Sequence, residues 1–273
     1  MKKTLNAAVA AVLLSLGGAA SADDGVIRIG FITDMSGLSA DADGPGGAEA
    51  IKMAVADMGG AVAGKKIEVL VADHQNRADI ASSRAREWLD QKGVDMLIAG
   101  ANSAAALAMA KVAEEKKTPF FVVSAGASEL TNAQCTPYTV HYVYDTVSLS
   151  RGTARAMLKE GNKDWFFLTV DHAFGHALER DASAVVQADG GQVKGRVRHP
   201  LNSPDFSSFI LQAQASGATV LGLANSANDT SNAVKAAAEF GLTPKMKIAG
   251  LLVLITDIHA LGLAAAQDMY LTT

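Results

Sequence analysis

Cysteine, proline and aromatic residues are scarce in this chain of 273 residues: one Cys, six Pro and 5% Phe, Trp and Tyr. A single thiol, Cys135, excludes an intrachain disulfide framework and a cysteine-rich zinc module. A basic surplus is missing too. Lysine and arginine number 24 against 28 acids, a formal charge of −4, so the electrostatic footprint of a nucleic-acid binder is absent. No hydrophobic run reaches the about 20 residues that span a bilayer. Glycine is frequent at 25, but without the triplet period of collagen. What is there is 49% hydrophobic and 19% charged, enough apolar material for a packed core and against intrinsic disorder. The length admits one large domain or two of ordinary size.

The first 22 residues read as an address. Lys2 and Lys3 form a positive start, Ala7 to Leu16 a short apolar run, and Ala20-Ser21-Ala22 a small-x-small cleavage signal. This order predicts a signal peptide removed after Ala22 and a mature chain starting at Asp23. No cysteine follows the signal closely, so a lipid anchor there is not indicated. Export to a bacterial periplasm is the expectation.

Short apolar strands then alternate with amphipathic helices. Strands are expected at 26–34, 66–73, 96–98 and 120–123, and helices at 48–58, 78–92 and 104–115. In the first helix Ala48, Ile51, Ala54, Val55 and Met58 share one face. After a turn-rich stretch near 125–147 the grammar restarts. It gives strands at 165–170, 193–197, 218–223 and 247–249, with helices at 173–188, from Ser203-Pro204-Asp205 onward, at 229–240 and at 254–262. Met269 to Thr273 reads as the start of one more strand. Such alternation predicts α/β architecture: two doubly wound, parallel-sheet lobes with helices on both faces.

Ligands of parallel α/β sheets sit beyond the carboxyl ends of the strands, so those loops carry the search. Gly44-Pro45-Gly46-Gly47 lacks the Lys-Ser/Thr of a phosphate loop and the spacing of a dinucleotide fingerprint. No G-x-S-x-G elbow surrounds Ser36, Ser103 or Ser124. Cys135 lies in a turn-like stretch without a protease signature. His172 and His176 are four apart, but Gly175 lies between them and no glutamate follows His172, so no metal is expected. No cofactor is implied. Ser103 opens a helix after Gly100-Ala101-Asn102, where a hydroxyl and free backbone N–H groups suit an anion, or simply cap the helix. Ser124-Ala125-Gly126-Ala127-Ser128 is a small-residue loop that a ligand can approach closely. Phe174 follows the strand at 165–170 in the second lobe.

At these residues the sequence resembles the leucine/isoleucine/valine type of periplasmic substrate-binding protein, the type I receptors of ATP-binding-cassette importers. The resemblance runs through residues 24–273. It is carried by Ile27 to Gly30 with Asp34-Met35-Ser36-Gly37, by Gly44-Pro45-Gly46-Gly47, and by Gly100 with Ser103. It continues through Ser124 to Thr131, Tyr144-Asp145-Thr146, Phe174-Gly175 and Asp205 to Phe209. It implies two lobes joined by a hinge and closing on a ligand in the cleft between them, with residues 23–141 as the first lobe and 142–268 as the second. It also implies that 269–273 begin a return crossing, with the second half of lobe one missing, as in a C-terminally truncated member. By resemblance a ligand carboxylate meets Ser103 (or Ala104), Gly126 and Ser128, and Phe174 closes over it. Amino-acid-specific members hold the ammonium with acids, one just past the strand matching Ile248-Ala249-Gly250. This chain has Leu251-Leu252-Val253 there, with Asp145 as the candidate substitute. A branched-chain or hydrophobic amino acid and an aromatic carboxylate both stay open. The implied role is non-enzymatic: a monomer delivering a small molecule to a membrane permease. An exported α/β hydrolase, an amidase or esterase using Ser103 or Ser124, is the rival reading, and a ligand sensor of the same fold a third.

Overall fold

The computed structural model describes residues 25–243 and 245–272; the expected signal peptide lies outside the described residues. In the first half, strands β1 (Val26–Thr33), β2 (Ala61–Val62), β3 (Lys65–Asp73), β4 (Met96–Ala99), β5 (Phe120–Val122) and β6 (Thr139–His141) form a sheet. Its order is β2-β3-β1-β4-β5-β6, parallel except for the short β2 hairpin. Helices α1 (Pro45–Asp57), α2 (Ala78–Glu87) and α3 (Ser103–Lys116) connect the strands. In the second half, β7 (Asp164–Val170), β8 (Gln192–His199), β9 (Val220–Ala224), β10 (Lys247–Gly250) and β11 (Tyr270–Leu271) form an all-parallel sheet of order β11-β10-β9-β7-β8. Its helices are α4 (Thr146–Lys159), α5 (Ala173–Ala188), α6 (Ser207–Ala215), α7 (Ala227–Glu239) and α8 (Ile255–Leu261). Each sheet with its helices forms a lobe, the two-lobed parallel α/β architecture that the alternation predicts. The last strand, β11, pairs with β10 in the second sheet.

Burial follows strand position. The central β7 is buried from Trp165 to Val170, as a parallel strand covered on both faces must be. The edge strand β8 alternates instead, and turns Lys194, Arg196 and Arg198 outward, a charged edge that discourages pairing with other chains. In the first lobe the larger core lies between the sheet and helices α2 and α3, around Ile32, Leu97, Met109 and Phe120. Gly30 lets Trp88 lie flat on β1; a Cβ there would stand 2.6 Å from the indole. In the second lobe cores flank both faces of the sheet, with Phe206, Ile210 and Val234 on one side and Leu149, Trp165 and Leu178 on the other.

Two elements differ from the sequence reading. The apolar face expected of α1 is only partly covered: Ala48 is buried, but Ala54 is exposed and Met58 is 66% exposed. Its neighbours Phe31, Ala48 and Ile98 make a small cluster on that side of the sheet. Helix α4 was not anticipated at all. Thr146, Ser150 and Thr153 occupy buried positions on it beside Leu149, Ala154 and Met157, so hydroxyls interrupt the apolar stripe that would reveal it. Ser150 donates to the Thr146 carbonyl at 2.6 Å, which is how a buried hydroxyl in a helix is satisfied.

Helix α5 approaches its sheet at Gly175, where a Cβ would lie 2.2 Å from the Val170 carbonyl oxygen and 3.0 Å from that of Ala224. Backbone of two central strands cannot yield as a side chain can. Gly175→Ala is therefore expected to destabilise the protein by about 3 kcal/mol, read as a lowered midpoint in urea unfolding, whereas an alanine at the open Gly46 should leave it nearly unchanged.

Candidate binding cleft

Parallel strands followed by helices place strand carboxyl ends and helix amino ends on the same edge of each sheet. Here the two edges face one another. Between them lies a narrow cleft with a cavity volume of about 70 Å³. The first lobe contributes Leu38, Ser39 and Ala42 after β1, Asn76 after β3, Ala101 to Ser103 after β4, and Ser124 to Gly126 after β5. Tyr144 comes from the segment leading to α4. The second lobe contributes Val170, His172 and Phe174 around the end of β7, Leu201 after β8, Ser226 and Ala227 after β9, and Leu252 and Leu254 after β10.

The first-lobe wall is built on two acids, the buried Asp34 and the half-buried Asp43. Asp34 accepts from the backbone N–H groups of Gly37 at 2.8 Å and Ser39 at 2.9 Å, and from the Asn76 amide. Asp43 accepts from Thr33 Oγ1 at 2.9 Å and from Ala101 N at 2.7 Å. Burial pushes the Asp43 carboxyl up, against these donors and the Ser124 hydroxyl, which favour its charged form. The loop after β4 passes tightly over this acid. At Gly100 a Cβ would stand 2.1 Å from Thr33 Oγ1 and 2.4 Å from Asp43 Oδ2. Asn102 then turns through a left-handed conformation (φ 87°), which asparagine tolerates better than most residues. Its side chain caps α3, accepting from Ala105 N at 2.9 Å.

Of the residues singled out from sequence, Ser103, Gly126 and Phe174 line the cleft; Ala104, Ser128 and Asp145 are not among its lining residues. Ser103 is 1% exposed and its Oγ accepts from Ala127 N at 3.1 Å, while its own hydrogen has no acceptor among the described residues. Gly126 lies beneath two rings: a Cβ there would stand 3.0 Å from Tyr144 and 3.2 Å from Phe174. Ser128 is otherwise engaged. It donates to Asp181 at 2.8 Å, accepts from Arg180 at 2.9 Å, and so ties the first lobe to α5. Thr146 donates to the same carboxylate at 2.6 Å, and Arg180 also pairs with Glu129. Asp145 caps α4, accepting from Ser148 N at 2.7 Å. The serines offered as nucleophiles, Ser103 and Ser124, are hydrogen-bonded to no histidine among the described residues.

Sequence reasoning missed Ser226, His172 as a cleft residue, Asn76, and the Tyr144 ring as a wall. Ser226 stands at the carboxyl end of β9, one of the strand ends that the α/β rule marks for ligands. It caps α7 without a side-chain hydrogen bond.

The family model described as periplasmic binding protein matches residues 26–273. This chain belongs to the periplasmic binding proteins. It is 62% identical to a periplasmic binding protein of Burkholderia mallei whose crystal structure superposes with a TM-score of 0.88, covering 89% of this chain and 65% of that one. A solute-binding protein of an ABC transporter from Rhodopseudomonas palustris, crystallised with 3,4-dihydroxybenzoic acid, is 29% identical with a TM-score of 0.73, covering 83% of this chain and 62% of that one. The curated relative named Leu/Ile/Val-binding protein homolog 6, from Brucella abortus, is 29% identical over 220 residues. That match takes in 80% of this chain and 55% of the relative, so the chain spans about half the length of the curated relative.

Across the cleft of this periplasmic binding protein runs one polar line between the lobes. His172, the cap of α5, stands with Nε2 3.1 Å from Asn102 Oδ1. An amide oxygen can only accept, so Nε2 carries the hydrogen and donates. Asn102 passes the line on, donating to Asn76 Oδ1 at 3.2 Å. Burial holds the His172 imidazole below the usual histidine range, reinforced by His176 and His74 nearby. The neutral ring is thus the form that this contact favours.

The pH consequence follows from the sign of that shift. The unfolded chain protonates this histidine near pH about 6.5, the folded chain only below that. Its stabilising contribution is therefore complete above that value and is lost as pH falls through the window beneath it. His199, also lowered by burial, works in the same sense. Asp43, Asp229 and Asp257, all raised by burial, act oppositely, in the window that opens above the ordinary carboxylate range. Melting temperature is expected to fall on acidification from neutral pH. His172→Gln should flatten that fall without abolishing it; an unchanged slope would remove His172 from the balance.

Proposed function

We propose that this protein is the solute-capturing receptor of an ABC importer, exported to the periplasm. It closes its two lobes, divided between residues 141 and 142, over a small carboxylate with an apolar, aromatic body. It then delivers that ligand unchanged, as a monomer, to a membrane permease. One observation carries the ligand class: among the described residues no Asp, Glu, Lys or Arg lines the cleft, yet the capping residues of four helices do. These are Asn102, His172, Ser226 and Leu254. Helix amino ends present unpaired N–H groups and a partial positive charge, which favour an anion without a cationic side chain. Ser103 brings an unspent hydroxyl hydrogen from the first lobe, and Ser226 a hydroxyl from the second. Leu38, Val170, Phe174, Leu201, Leu252 and Leu254 supply the apolar surface.

An α-amino acid would bring an ammonium as well. In a cleft without an acidic wall that charge would lie buried and unpaired, at a cost of several kcal/mol. The acids behind the wall are engaged with the protein: Asp43 with Thr33 and Ala101, Asp257 with Leu254 N at 2.8 Å. The R. palustris relative, with its bound dihydroxybenzoic acid, supports the aromatic reading; the Leu/Ile/Val-binding relative supports the receptor role. The lack of a serine–histidine hydrogen bond among the described residues of the cleft weighs against the hydrolase.

The test is a thermal-unfolding series with benzoate, 4-hydroxybenzoate and leucine. A ligand present at about 100 times its dissociation constant adds about 2.7 kcal/mol to stability. Stabilisation by the benzoates, recovery of the ligand unchanged by mass spectrometry, and about tenfold weaker binding in Ser103→Ala are the expected results. Stabilisation by leucine alone would replace the aromatic ligand with an amino acid. Conversion of the ligand during incubation would overturn the receptor.

A further inference from the structure

Away from the cleft, five side chains from the two lobes converge. Ser128 and Glu129 stand on the turn after β5, in the first lobe. Thr146 opens α4, and Arg180 and Asp181 lie about two turns along α5, in the second. None of the five lines the cleft. Their hydrogen bonds form a closed ring. The Ser128 backbone N–H donates to Thr146 Oγ1 at 3.2 Å, and the Thr146 hydroxyl donates to Asp181 Oδ2 at 2.6 Å. The Ser128 hydroxyl donates to the same Asp181 oxygen at 2.8 Å. Arg180 covers the ring. It donates from Nη2 to Ser128 Oγ at 2.9 Å, from Nε to Asp181 Oδ1 at 2.9 Å, and from Nη1 to Glu129 Oε1. Two acids, one from each lobe, thus share a single guanidinium. Their side chains are largely out of solvent, 22% exposed for Glu129 and 12% for Asp181. The second Glu129 oxygen, Oε2, is buried without a hydrogen-bond partner among the described residues.

We propose that this cluster is a clasp: it sets how firmly the two lobes hold together, and so scales the affinity for every ligand alike without touching any. The assignment rests on the reading of the protein as a receptor that closes its lobes on a ligand. Its physical basis is the dependence of both acids on Arg180. Taking one partner from a desolvated ion pair leaves a charge uncompensated, which costs more than the intact pair gains. Without Arg180, Glu129 and Asp181 remain as like charges at one junction, and Glu129 already has an oxygen without a partner. Parting the lobes relieves both, since it separates the charges and admits water. Another ion pair on the same helix makes the contrast. Arg196 of β8 meets Glu179 of α5 at 2.8 Å, and Glu179 also accepts from Thr169 of β7 at 2.7 Å, all within the second lobe. That pair does not hold one lobe to the other. A weakened clasp has two places to show. Where the lobes of the free protein rest together, they part. Where they rest apart, closure over the ligand loses its support, and affinity falls by a factor common to all ligands.

The test is Arg180→Gln in the purified protein, followed by small-angle X-ray scattering without added compound and by calorimetric titration with benzoate and 4-hydroxybenzoate. The expected result is a larger radius of gyration, or about fivefold weaker binding of both benzoates by one factor, with a cooperative circular dichroism melt. Asp181→Asn should act in the same sense, and stands in if Arg180→Gln does not fold. Arg196→Gln should move neither reading. An unchanged radius together with unchanged affinities in the interlobe variants would overturn the clasp. So would a weakening unequal for the two compounds, the mark of a residue acting on the ligand itself, or an equal response in Arg196→Gln. Failure of both benzoates to bind the unmodified protein would overturn the ligand reading; scattering then decides the clasp alone, and an unchanged radius would overturn that as well.

Discussion

Asp43 holds the ligand-facing wall of the first lobe together. Its carboxylate gathers the end of β1 through Thr33 and the loop after β4 through Ala101. Two strand ends that are distant in sequence thereby share one anchor. The anchor requires that nothing stand between it and β1, which is the role of the missing side chain at Gly100. Because an ionised carboxylate only accepts, the Thr33 hydroxyl and the Ala101 N–H have their direction set by it. A half-buried acid at this place is costly in itself. What it supplies is a wall with one arrangement of hydrogens rather than several.

The backbone plan was legible because parallel α/β sheets write themselves plainly: buried strands are short apolar runs, and covering helices carry stripes. Strand ends came within one or two residues at β1, β4 and β7. Helix α4 escaped because its inward face mixes threonine and serine with leucine and methionine. The site was legible in place but only partly in membership. A hydroxyl at a strand end looks the same in sequence whether it meets a ligand or a neighbouring carboxylate. Ser103 and Ser128 are such a pair. One lines the cleft; the other is spent on Asp181, across the lobe boundary. Asp145, considered as a charge partner, is a helix cap, the commonest duty of an aspartate before a helix. Nothing in the sequence says that Ser128 is taken, because its partner Asp181 lies 53 residues away.

Two kinds of contact join the lobes, and they differ in character. Toward α4, Ser128 and Thr146 converge on Asp181, with Arg180 and Glu129 beside them, a charged cluster. Across the cleft, His172 meets Asn102, both neutral. The cleft itself thus carries polarity without net charge: amides, hydroxyls and helix ends on one hand, leucine, valine and phenylalanine on the other. Dipoles of this kind lose less to desolvation than full charges do.

The two tryptophans of the chain fall one to each lobe, both away from the cleft. Trp88 lies on β1 over Gly30, and Trp165 is fully buried at the start of β7, its indole N–H held by the Asn162 carbonyl at 2.9 Å. Each ring therefore experiences the interior of its own lobe and little else. Tryptophan emission is accordingly a natural gauge of whether each half is folded, and a weak one of whether a ligand is bound. An optical signal of occupancy has to come from the tyrosine and phenylalanine that wall the cleft, or from the absorbance of an aromatic guest.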